Sequence, residues 1–315
     1  MTNRAVIHDQ DLIRSAFPGW NAIHQAMTAP NGLRVLADIV FDWLSIAGAT
    51  FLFHRFGWYC APAVIAWIGN RQRALGNLLH DAAHRNLATS PELNDALARL
   101  FIAPPLLNSL AVYRESHARH HAWLGDPQAD PDYIDVCPAS GNAWWQPYLT
   151  VLITPRTWAA SILGHLHSRK ATLSQKAGIL LWWMFTMGAV TRLAGLHMAA
   201  AFVGLWIVAR ATVLHLITTF REFCDHFGRR PGGVFNYTRD VSSRSVWRWV
   251  IHPRNNGYHL THHLMPSVPY HRLPEAQGRL LELPSFASTA RICHSYFSSP
   301  DAVVREWALH SGEKT

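Results

Sequence analysis

Three histidine clusters in this sequence have the residue spacing of metal ligands. They are His80-Asp-Ala-Ala-His84, His117-Ala-Arg-His120-His121 and His259-Leu-Thr-His262-His263. Residues three and four apart share one face of a helix, so each cluster directs two or three imidazoles at one point. With 20 histidines in 315 residues, chance gives about 0.08 HxxHH patterns, and two are present. We therefore interpret the clusters as metal ligands.

The number of imidazoles indicates two metal ions. The eight histidines of the clusters exceed the four ligands of zinc and the six of an octahedral ion. Two ions that share them would each keep open positions, as a catalytic site requires. Imidazole binds zinc, copper, iron and nickel, so the ligand type leaves the metal open. The sequence has no HExxH helix of metalloproteases and no ExxH pair of soluble di-iron bundles.

The composition excludes several classes of protein. Charged residues make up 15% of the chain, against about 25% in an ordinary soluble domain. So low a charge excludes a disordered chain or a coiled coil. The four cysteines form no CxxC pair, which argues against a disulfide scaffold, a zinc ribbon or an iron–sulfur cluster. The net charge of +8 suits anionic lipid or an acidic protein. The histidine clusters do not form a contiguous basic tract, so we expect no nucleic-acid partner.

Four apolar stretches predict an all-α integral membrane protein. A membrane-spanning helix needs about 20 mostly apolar residues. The predicted spans are Val35–Phe53, Trp58–Ile68, Gly178–Val190 and Leu196–Leu216. Tight connections would join them into two hairpins, with both termini and a histidine-rich helical cap on the cytoplasmic side, where most basic residues fall.

Some features qualify this membrane topology. Asp38 and Asp42 interrupt the first span, and both are costly in hydrocarbon unless they face a protein interior. The proline-interrupted runs Leu100–Val112 and Tyr148–Leu163 are interpreted as helices that lie in the membrane interface. A soluble helical bundle is the alternative fold.

The residues around the clusters resemble the membrane-bound fatty acid desaturase and hydroxylase superfamily, the histidine-box di-iron enzymes. The second cluster is followed by an acidic stretch that contains Asp130-Pro131-Asp132, as in that family. The third lies in Asn256-Gly-Tyr-His259-Leu-Thr-His262-His263-Leu-Met-Pro266-Ser-Val-Pro269, which is similar to the family signature. The resemblance covers about residues 35–280, between an N-terminal segment 1–33 and a tail 281–315. We treat residues 1–315 as a single desaturase-like domain.

The resemblance implies two iron ions with O2 as co-substrate, and no catalytic residue beyond the metal ligands. It adds a ninth ligand, His226, after the last span. The implied ligands are His80, His84, His117, His120, His121, His226, His259, His262 and His263. Residues that can support them are Asp81, Asp130, Asp132, Glu222, Asp225 and Asn256. Acyl-CoA desaturases have an asparagine at the position that Glu222 occupies in this chain. The Glu222 side chain can bind iron, orient a ligand or pair with Arg221.

Three functions are compatible with these residues. The first is a desaturase that acts on a fatty-acyl or lipid chain. The second is a hydroxylase or ketolase of the same superfamily that acts on a lipid, a carotenoid or another small molecule. The third is a membrane metal-binding protein without enzymatic activity.

The electrons for an oxidation would come from another protein. The sequence contains no haem-binding HPGG motif, no cysteine cluster and no GxGxxG fingerprint. A separate donor such as a ferredoxin with its reductase is therefore expected. The expected location is the bacterial inner membrane, with the active site facing the cytoplasm.

Overall fold

The structure is a computed structural model that describes residues 3–17, 19–137, 139–140 and 143–309. This part of the chain is mostly helical. Its α-helices, in chain order, are α1 (Arg4–Ala16), α2 (Trp20–Met27), α3 (Gly32–Phe56), α4 (Ala61–Ala83), α5 (Pro91–Leu97), α6 (Leu110–Ala122), α7 (Trp145–Leu152), α8 (Pro155–Leu163), α9 (Leu173–Ala194), α10 (Leu196–Ala209), α11 (His215–His226), α12 (Val234–Tyr237), α13 (Trp247–Ile251), α14 (His259–Leu264), α15 (Leu273–Leu281) and α16 (Pro284–Thr289).

The strands are short and pair in parallel. They are β1 (Ala139–Ser140), β2 (Asp240–Val241), β3 (Ile292–Cys293) and β4 (Ala308–Leu309). Strand β1 pairs with β4, and β2 pairs with β3 with Asp240 opposite Ile292. Two short π-helical turns, Ala98–Ile102 and Arg210–Leu214, interrupt the α-helical segments.

The chain forms two compact units. The first, here named the histidine unit, comprises Met1–Pro30, Arg114–Val151 and Thr219–Thr315. The second, named the apolar unit, comprises Asn31–Tyr113 and Leu152–Thr218.

The apolar unit is built on the long helices α3, α4, α9 and α10. Helix α4 contacts α3 and α10, and α10 also contacts α9. Ile46, Ile68 and Trp206 are almost fully buried between them. Gly69 allows a close helix contact, since a Cβ there would lie 2.5 Å from the Cβ of Val213. The other faces of these helices remain apolar and exposed; Phe185 on α9, for example, is 79% exposed.

Three helical stretches in the described chain are long and apolar enough to cross a membrane. They are Trp20–Tyr59, Leu173–Ala194 and Leu196–His226. The predicted second span, Trp58–Ile68, leads into α4, which is not among them. The apolar part of α4 ends at Ile68 and is followed within five residues by Arg71 and Arg73. The finding supports a helical membrane protein and leaves the four-span topology a prediction.

The two aspartates of the first span have different surroundings. Asp42 is fully buried and accepts a hydrogen bond from Arg71 Nη1 at 3.1 Å. The guanidinium of Arg71 also lies 4.9 Å from the centre of the Trp67 ring. Asp42 therefore faces a protein interior. Asp38 is partly buried and pairs at 3.4 Å with Arg34, whose side chain is 60% exposed.

Tryptophan side chains replace the backbone donors that two prolines lack. Pro104 and Pro105 have no N–H, so the carbonyls of Leu100 and Phe101 lose the donors that a continuous helix would supply. Trp182 Nε1 donates to the Leu100 carbonyl at 2.7 Å, and Trp43 Nε1 donates to the Phe101 carbonyl at 3.0 Å. Such substitution matters most in lipid, where no water reaches the backbone.

The next two carbonyls of this segment have indole donors as well. Trp183 Nε1 donates to the carbonyl of Pro104 at 3.2 Å, and Trp206 Nε1 donates to that of Pro105 at 3.1 Å. The tryptophans of the apolar unit therefore donate hydrogen bonds in its interior, and others lie on its surface.

We expect Trp182→Phe to lower the melting temperature of the detergent-solubilised protein. The substitution keeps an aromatic ring but leaves the Leu100 carbonyl without its donor, which costs about 1–3 kcal/mol in apolar surroundings. Thermal unfolding followed by far-ultraviolet circular dichroism measures the change. Trp58→Phe is the matched control, because Trp58 is 81% exposed. Equal shifts in the two variants would contradict this role for Trp182.

Candidate metal centre

Three helices carry the seven candidate ligands of the histidine unit. Helix α14 is formed almost entirely by the third cluster, so His259, His262 and His263 occupy successive turns of one short helix. His226 is the last residue of α11. The second cluster lies at the end of α6. The helical spacing inferred from the second and third clusters is thus the spacing that the structure contains.

Four of these histidines form one group, in which every side chain is buried. The group is His120, His226, His259 and His263, and one ligand nitrogen from each lies within 4.8 Å of the others. His259 Nε2 is 2.9 Å from His226 Nε2 and 3.1 Å from His263 Nε2. The ligand nitrogens therefore converge on one point.

The remaining three histidines form a second convergence. The ligand nitrogens of His117, His121 and His262 also lie within 4.8 Å of one another. His121 Nε2 is 3.1 Å from both His117 Nε2 and His262 Nε2.

The nitrogen separations fit a metal ion. Metal–nitrogen bonds of about 2.1 Å place adjacent nitrogens about 3.0 Å apart in an octahedral site and about 3.4 Å apart in a tetrahedral one. The separations of 2.9–3.1 Å therefore match two groups of imidazoles that each surround an ion.

The first cluster belongs to the apolar unit. His80 lies in the last turn of α4 and His84 directly follows that helix. Their rings are 5.3 Å apart, and His80 is 4% exposed. Asp81, also buried, has a carboxylate oxygen 3.6 Å from His80 Nδ1. The two imidazoles are therefore neighbours, beside a carboxylate.

Asp130 fixes the orientation of His120. Its Oδ1 lies 2.8 Å from His120 Nδ1, and its two oxygens also accept from the backbone N–H groups of Asp132 and Gly125. A proton on Nδ1 leaves Nε2 free to bind a metal. The Asp132 side chain is 46% exposed and 3.9 Å from the same nitrogen, so its contribution is weaker.

The electrostatics around Asp130 favour an ionised carboxylate beside His120. Burial alone would lower the pKa of His120, but the hydrogen bond to Asp130 and the neighbouring carboxylates raise it above its usual value. Burial would raise the pKa of Asp130, but His120 and the two backbone donors bring it below its usual value. The Asp130 carboxylate is therefore ionised at neutral pH.

The imidazoles of His259 and His263 are neutral. Burial, together with the neighbouring cationic groups, lowers the pKa values of His259 and His263 far below the usual value of histidine. A metal ion binds the unprotonated imidazole nitrogen, so burial prepares these side chains as ligands.

Asp225 connects the ligands to a buried polar chain. The carboxylate is fully buried, accepts from Arg221 Nε at 2.9 Å and lies 3.7 Å from His259 Nδ1. Its other oxygen is 3.1 Å from His252 Nε2, and His252 Nδ1 is 2.8 Å from the hydroxyl of Tyr296. These contacts fix the position of the Asp225 carboxylate beside His259.

Glu222 and Asn256 have less direct places. Glu222 Oε1 accepts from Arg221 Nη1 at 2.9 Å, and neither metal-ligand group includes Glu222. The structure contains the pairing with Arg221, which is one of the three roles expected for Glu222. Asn256 is 6% exposed and precedes the third cluster by three residues.

The sequence motifs do not identify Asp240 and Gln277, which hold the third cluster through Thr261. Asp240 Oδ1 accepts from the backbone N–H of Thr261 at 3.0 Å, and Oδ2 accepts from the Thr261 hydroxyl at 2.6 Å. Gln277 Nε2 donates to Oδ2 at 2.7 Å. Thr261 lies between His259 and His262, so Asp240 anchors the helix that presents both. Single residues 21 and 37 positions apart form no spacing pattern, and the same holds for His252 and Tyr296.

We expect Asp240→Ala to weaken metal binding without removing a ligand. The change deletes three hydrogen bonds, each worth about 1 kcal/mol, and frees α14 to shift. Loss of such a supporting group typically costs about 10–100-fold in metal affinity. Metal content after dialysis measures the effect. Asp11→Ala is the control, because Asp11 is exposed on α1; an equal loss of metal in that variant would contradict the prediction.

Asp240 also predicts a pH dependence of stability. Burial raises the pKa of Asp240 from 3.8 to about 6, although its three hydrogen-bond donors oppose the shift. A raised carboxyl pKa stabilises the fold when the group is protonated. Its contribution is complete below about pH 4 and is lost as the pH rises through about 6, by about 3 kcal/mol in all.

Asp240→Asn keeps the size of the side chain and cannot ionise. In the metal-free protein, the free energy of unfolding of this variant minus that of the wild type should therefore increase between pH 4 and pH 7.5. Denaturant titrations at both pH values measure the difference. A difference that is constant with pH would contradict the assigned ionisation.

Comparison with known proteins agrees with this geometry. The sequence matches the fatty acid desaturase family over residues 56–294. It is 32% identical to dihydrorhizobitoxine desaturase of Bradyrhizobium elkanii over 283 residues, which are 83% of this chain and 79% of that protein. It is 23% identical to Delta(5) fatty acid desaturase fat-4 of Caenorhabditis elegans, over 76% of this chain and 61% of the relative.

A third relative is the acyl-lipid (8-3)-desaturase of Rebecca salina, which is 24% identical over 79% of this chain and 62% of that protein. The chain thus aligns with less than two thirds of the length of the last two relatives. The family match covers most of the chain, including all three histidine clusters. This chain belongs to the fatty acid desaturase family.

Proposed function

We propose that this chain is an oxygen-dependent di-iron desaturase that introduces a double bond into a fatty-acyl or lipid chain. The observation that carries the proposal is the convergence of buried imidazole nitrogens in two groups, with separations of 2.9–3.1 Å. Membership of the desaturase family gives these groups an oxidative role.

The proposed ligand sets divide the nine histidines between two irons. One iron is held by His120, His226, His259 and His263. The other is held by His117, His121 and His262, and the family resemblance assigns His80 and His84 to the iron ligands as well. When bound, iron and O2 supply the oxidant that an unactivated C–H bond requires and that no side chain can provide.

The protein residues prepare the site for this chemistry. Burial keeps His259 and His263 neutral, so they offer lone pairs without first releasing a proton. Asp130 fixes the ring of His120, and Asp225 lies beside His259. The burial of the first ligand group also excludes water, which limits side reactions of a strong oxidant.

Desaturation is favoured over hydroxylation by the relatives. All three are named as desaturases, and two of them as fatty acid or acyl-lipid desaturases. A hydroxylase or ketolase with the same ligands would leave the product with an added oxygen atom. Analysis of the product therefore separates the two reactions.

A small-molecule substrate is the second candidate. It is favoured by the similarity to dihydrorhizobitoxine desaturase, a relative at 32% identity that is aligned over 79% of its length. The reaction class would be the same, and only the substrate would differ. Supplying lipid extract and small-molecule extract separately to the enzyme distinguishes the two substrates.

We also propose the four-span arrangement of two hairpins, with α4 as the second span. It would place the histidine clusters on the cytoplasmic side of a bacterial inner membrane. The exposed apolar surfaces of α3 and α9 support contact with lipid. The net charge of +8 suits docking of an acidic electron donor such as a ferredoxin, which its own reductase would reduce.

We expect replacement of His80, His120 or His262 by alanine to abolish turnover and lower the bound iron. Each variant removes one proposed ligand and leaves an incomplete site. His54→Ala is the control, because His54 is exposed at the end of α3 and belongs to neither ligand group. The measurements are iron content, O2 consumption with reductant and substrate, and product mass.

A desaturated product has two hydrogen atoms fewer than the substrate, whereas a hydroxylated product has one oxygen atom more. Equal loss of iron in the His54 variant would count against the ligand assignment. Iron binding without substrate-dependent O2 consumption would instead indicate a metal-binding protein.

A further inference from the structure

Three arginines gather around one carboxylate in the histidine unit, away from the histidine clusters in sequence. They are Arg229, Arg239 and Arg291, with Glu306 as the carboxylate. Parallel pairing of β2 with β3 sets Asp240 opposite Ile292, so Arg239 and Arg291 stand side by side just before the paired residues. Arg229 follows Gly228, which has φ +77° and lies so close to the Glu306 carbonyl that a Cβ would collide with it.

Arg239 is an unusually placed cation. It is fully buried, and its Nη2 donates to the backbone carbonyl of Phe227. Within the described part of the chain, its Nε and Nη1 have no hydrogen-bond partner. Burial lowers the pKa of this guanidinium, yet arginine keeps its proton in proteins. Two of its three nitrogens therefore bear N–H groups that need an acceptor.

The other two arginines are also incompletely satisfied. Arg229 donates from Nη2 to the carbonyl of Phe235 at 2.9 Å, and Arg291 pairs with Glu306. The Nε atoms of both arginines are buried without a partner among the described residues. Both side chains are partly exposed, whereas the Arg239 side chain is fully buried. Unpaired donors thus occur on all three members of the cluster.

Among the described residues, the charges of this cluster do not balance. Three guanidinium groups carry three positive charges, whereas Glu306 and Asp301 supply two negative charges. Cys293 is a further ionisable neighbour, but burial raises the pKa of its thiol to about 11, so it stays neutral. A buried charge with unmade hydrogen bonds is costly unless an opposite charge accompanies it.

We propose that Arg229, Arg239 and Arg291 bind a small inorganic anion, of which chloride is the simplest and phosphate the larger example. The anion accepts from the free N–H groups and reduces the excess charge. Arginine is well suited to this role, since its guanidinium is always charged and presents several donors.

The proposed anion would stabilise the third histidine cluster through the backbone of Arg239. The carbonyl of Arg239 accepts from the backbone N–H of Leu260, next to His259. Asp240, the next residue in the chain, holds Thr261. Binding at Arg239 would therefore stabilise the strand that anchors α14. This inference concerns protein stability and does not depend on the proposed desaturase reaction.

Thermal unfolding of the full-length protein in detergent tests the proposal. Melting temperatures are compared in sodium chloride, sodium phosphate and sodium gluconate at equal ionic strength. We expect the melting temperature to be several degrees higher in chloride or phosphate than in gluconate, because a ligand that binds only the folded state stabilises it. The effect should saturate with anion concentration.

Arg239→Met should abolish this anion dependence. Arg279→Met is the matched control, because Arg279 is exposed and pairs with the exposed Glu282; it should keep the full response. Should Arg239→Met not fold, crystals of the wild type grown in bromide decide the matter. An anomalous peak within hydrogen-bond distance of Arg239 Nε or Nη1 supports the site.

Two results would overturn the proposal. One is a melting temperature that does not differ between the three anions. The other is wild-type bromide crystals without an anomalous peak at Arg239. A loss of anion response in Arg279→Met as large as that in Arg239→Met would have the same consequence, since it would indicate general screening of charge.

Discussion

Neutral imidazoles held close together in a buried site are the constraint on which the histidine unit depends. Nitrogens of His226, His259 and His263 approach one another to 2.9–3.1 Å, inside a region from which water is excluded. Such an arrangement is disfavoured if the rings are protonated, because like charges would face one another in low dielectric. Burial lowers the pKa values of His259 and His263 and so removes that repulsion. The same burial leaves these nitrogens unprotonated, which is the form that a metal ion binds.

Three carboxylates around the site position the histidine rings in different ways. Asp130 contacts a ligand directly and fixes the ring of His120. Asp225 acts from the next layer, where Arg221 and His252 determine its position. Asp240 touches no ligand and instead fixes the backbone and hydroxyl of Thr261. The candidate metal ligands are therefore positioned at three levels: ring orientation, local electrostatics and helix placement.

Sequence alone predicted what depends on local periodicity. The i, i+3 and i+4 spacing of His259, His262 and His263 sets one helical face whatever the rest of the chain does, and the structure contains that helix. An aspartate within an apolar run is costly in lipid unless it faces a protein interior, and Asp42 is buried beside Arg71. Asp240 and His252 could not be found in this way, because their partners are distant in sequence and only the folded chain brings them together. The second span, Trp58–Ile68, stays a prediction, since the second half of α4 carries Arg71 and Arg73.

Glu222 illustrates how one departure from a family pattern is accommodated. An asparagine at this position can contribute a neutral oxygen to an iron site, whereas a glutamate brings a negative charge next to buried residues. In this chain Arg221 neutralises that charge: Nη1 donates to Glu222 and Nε donates to Asp225. One guanidinium thus serves two carboxylates, and the Glu222 side chain, 31% exposed, keeps partial access to water. Arg221 thus holds both carboxylates on the helix that ends at His226, and His226 lies in the group with His120, His259 and His263.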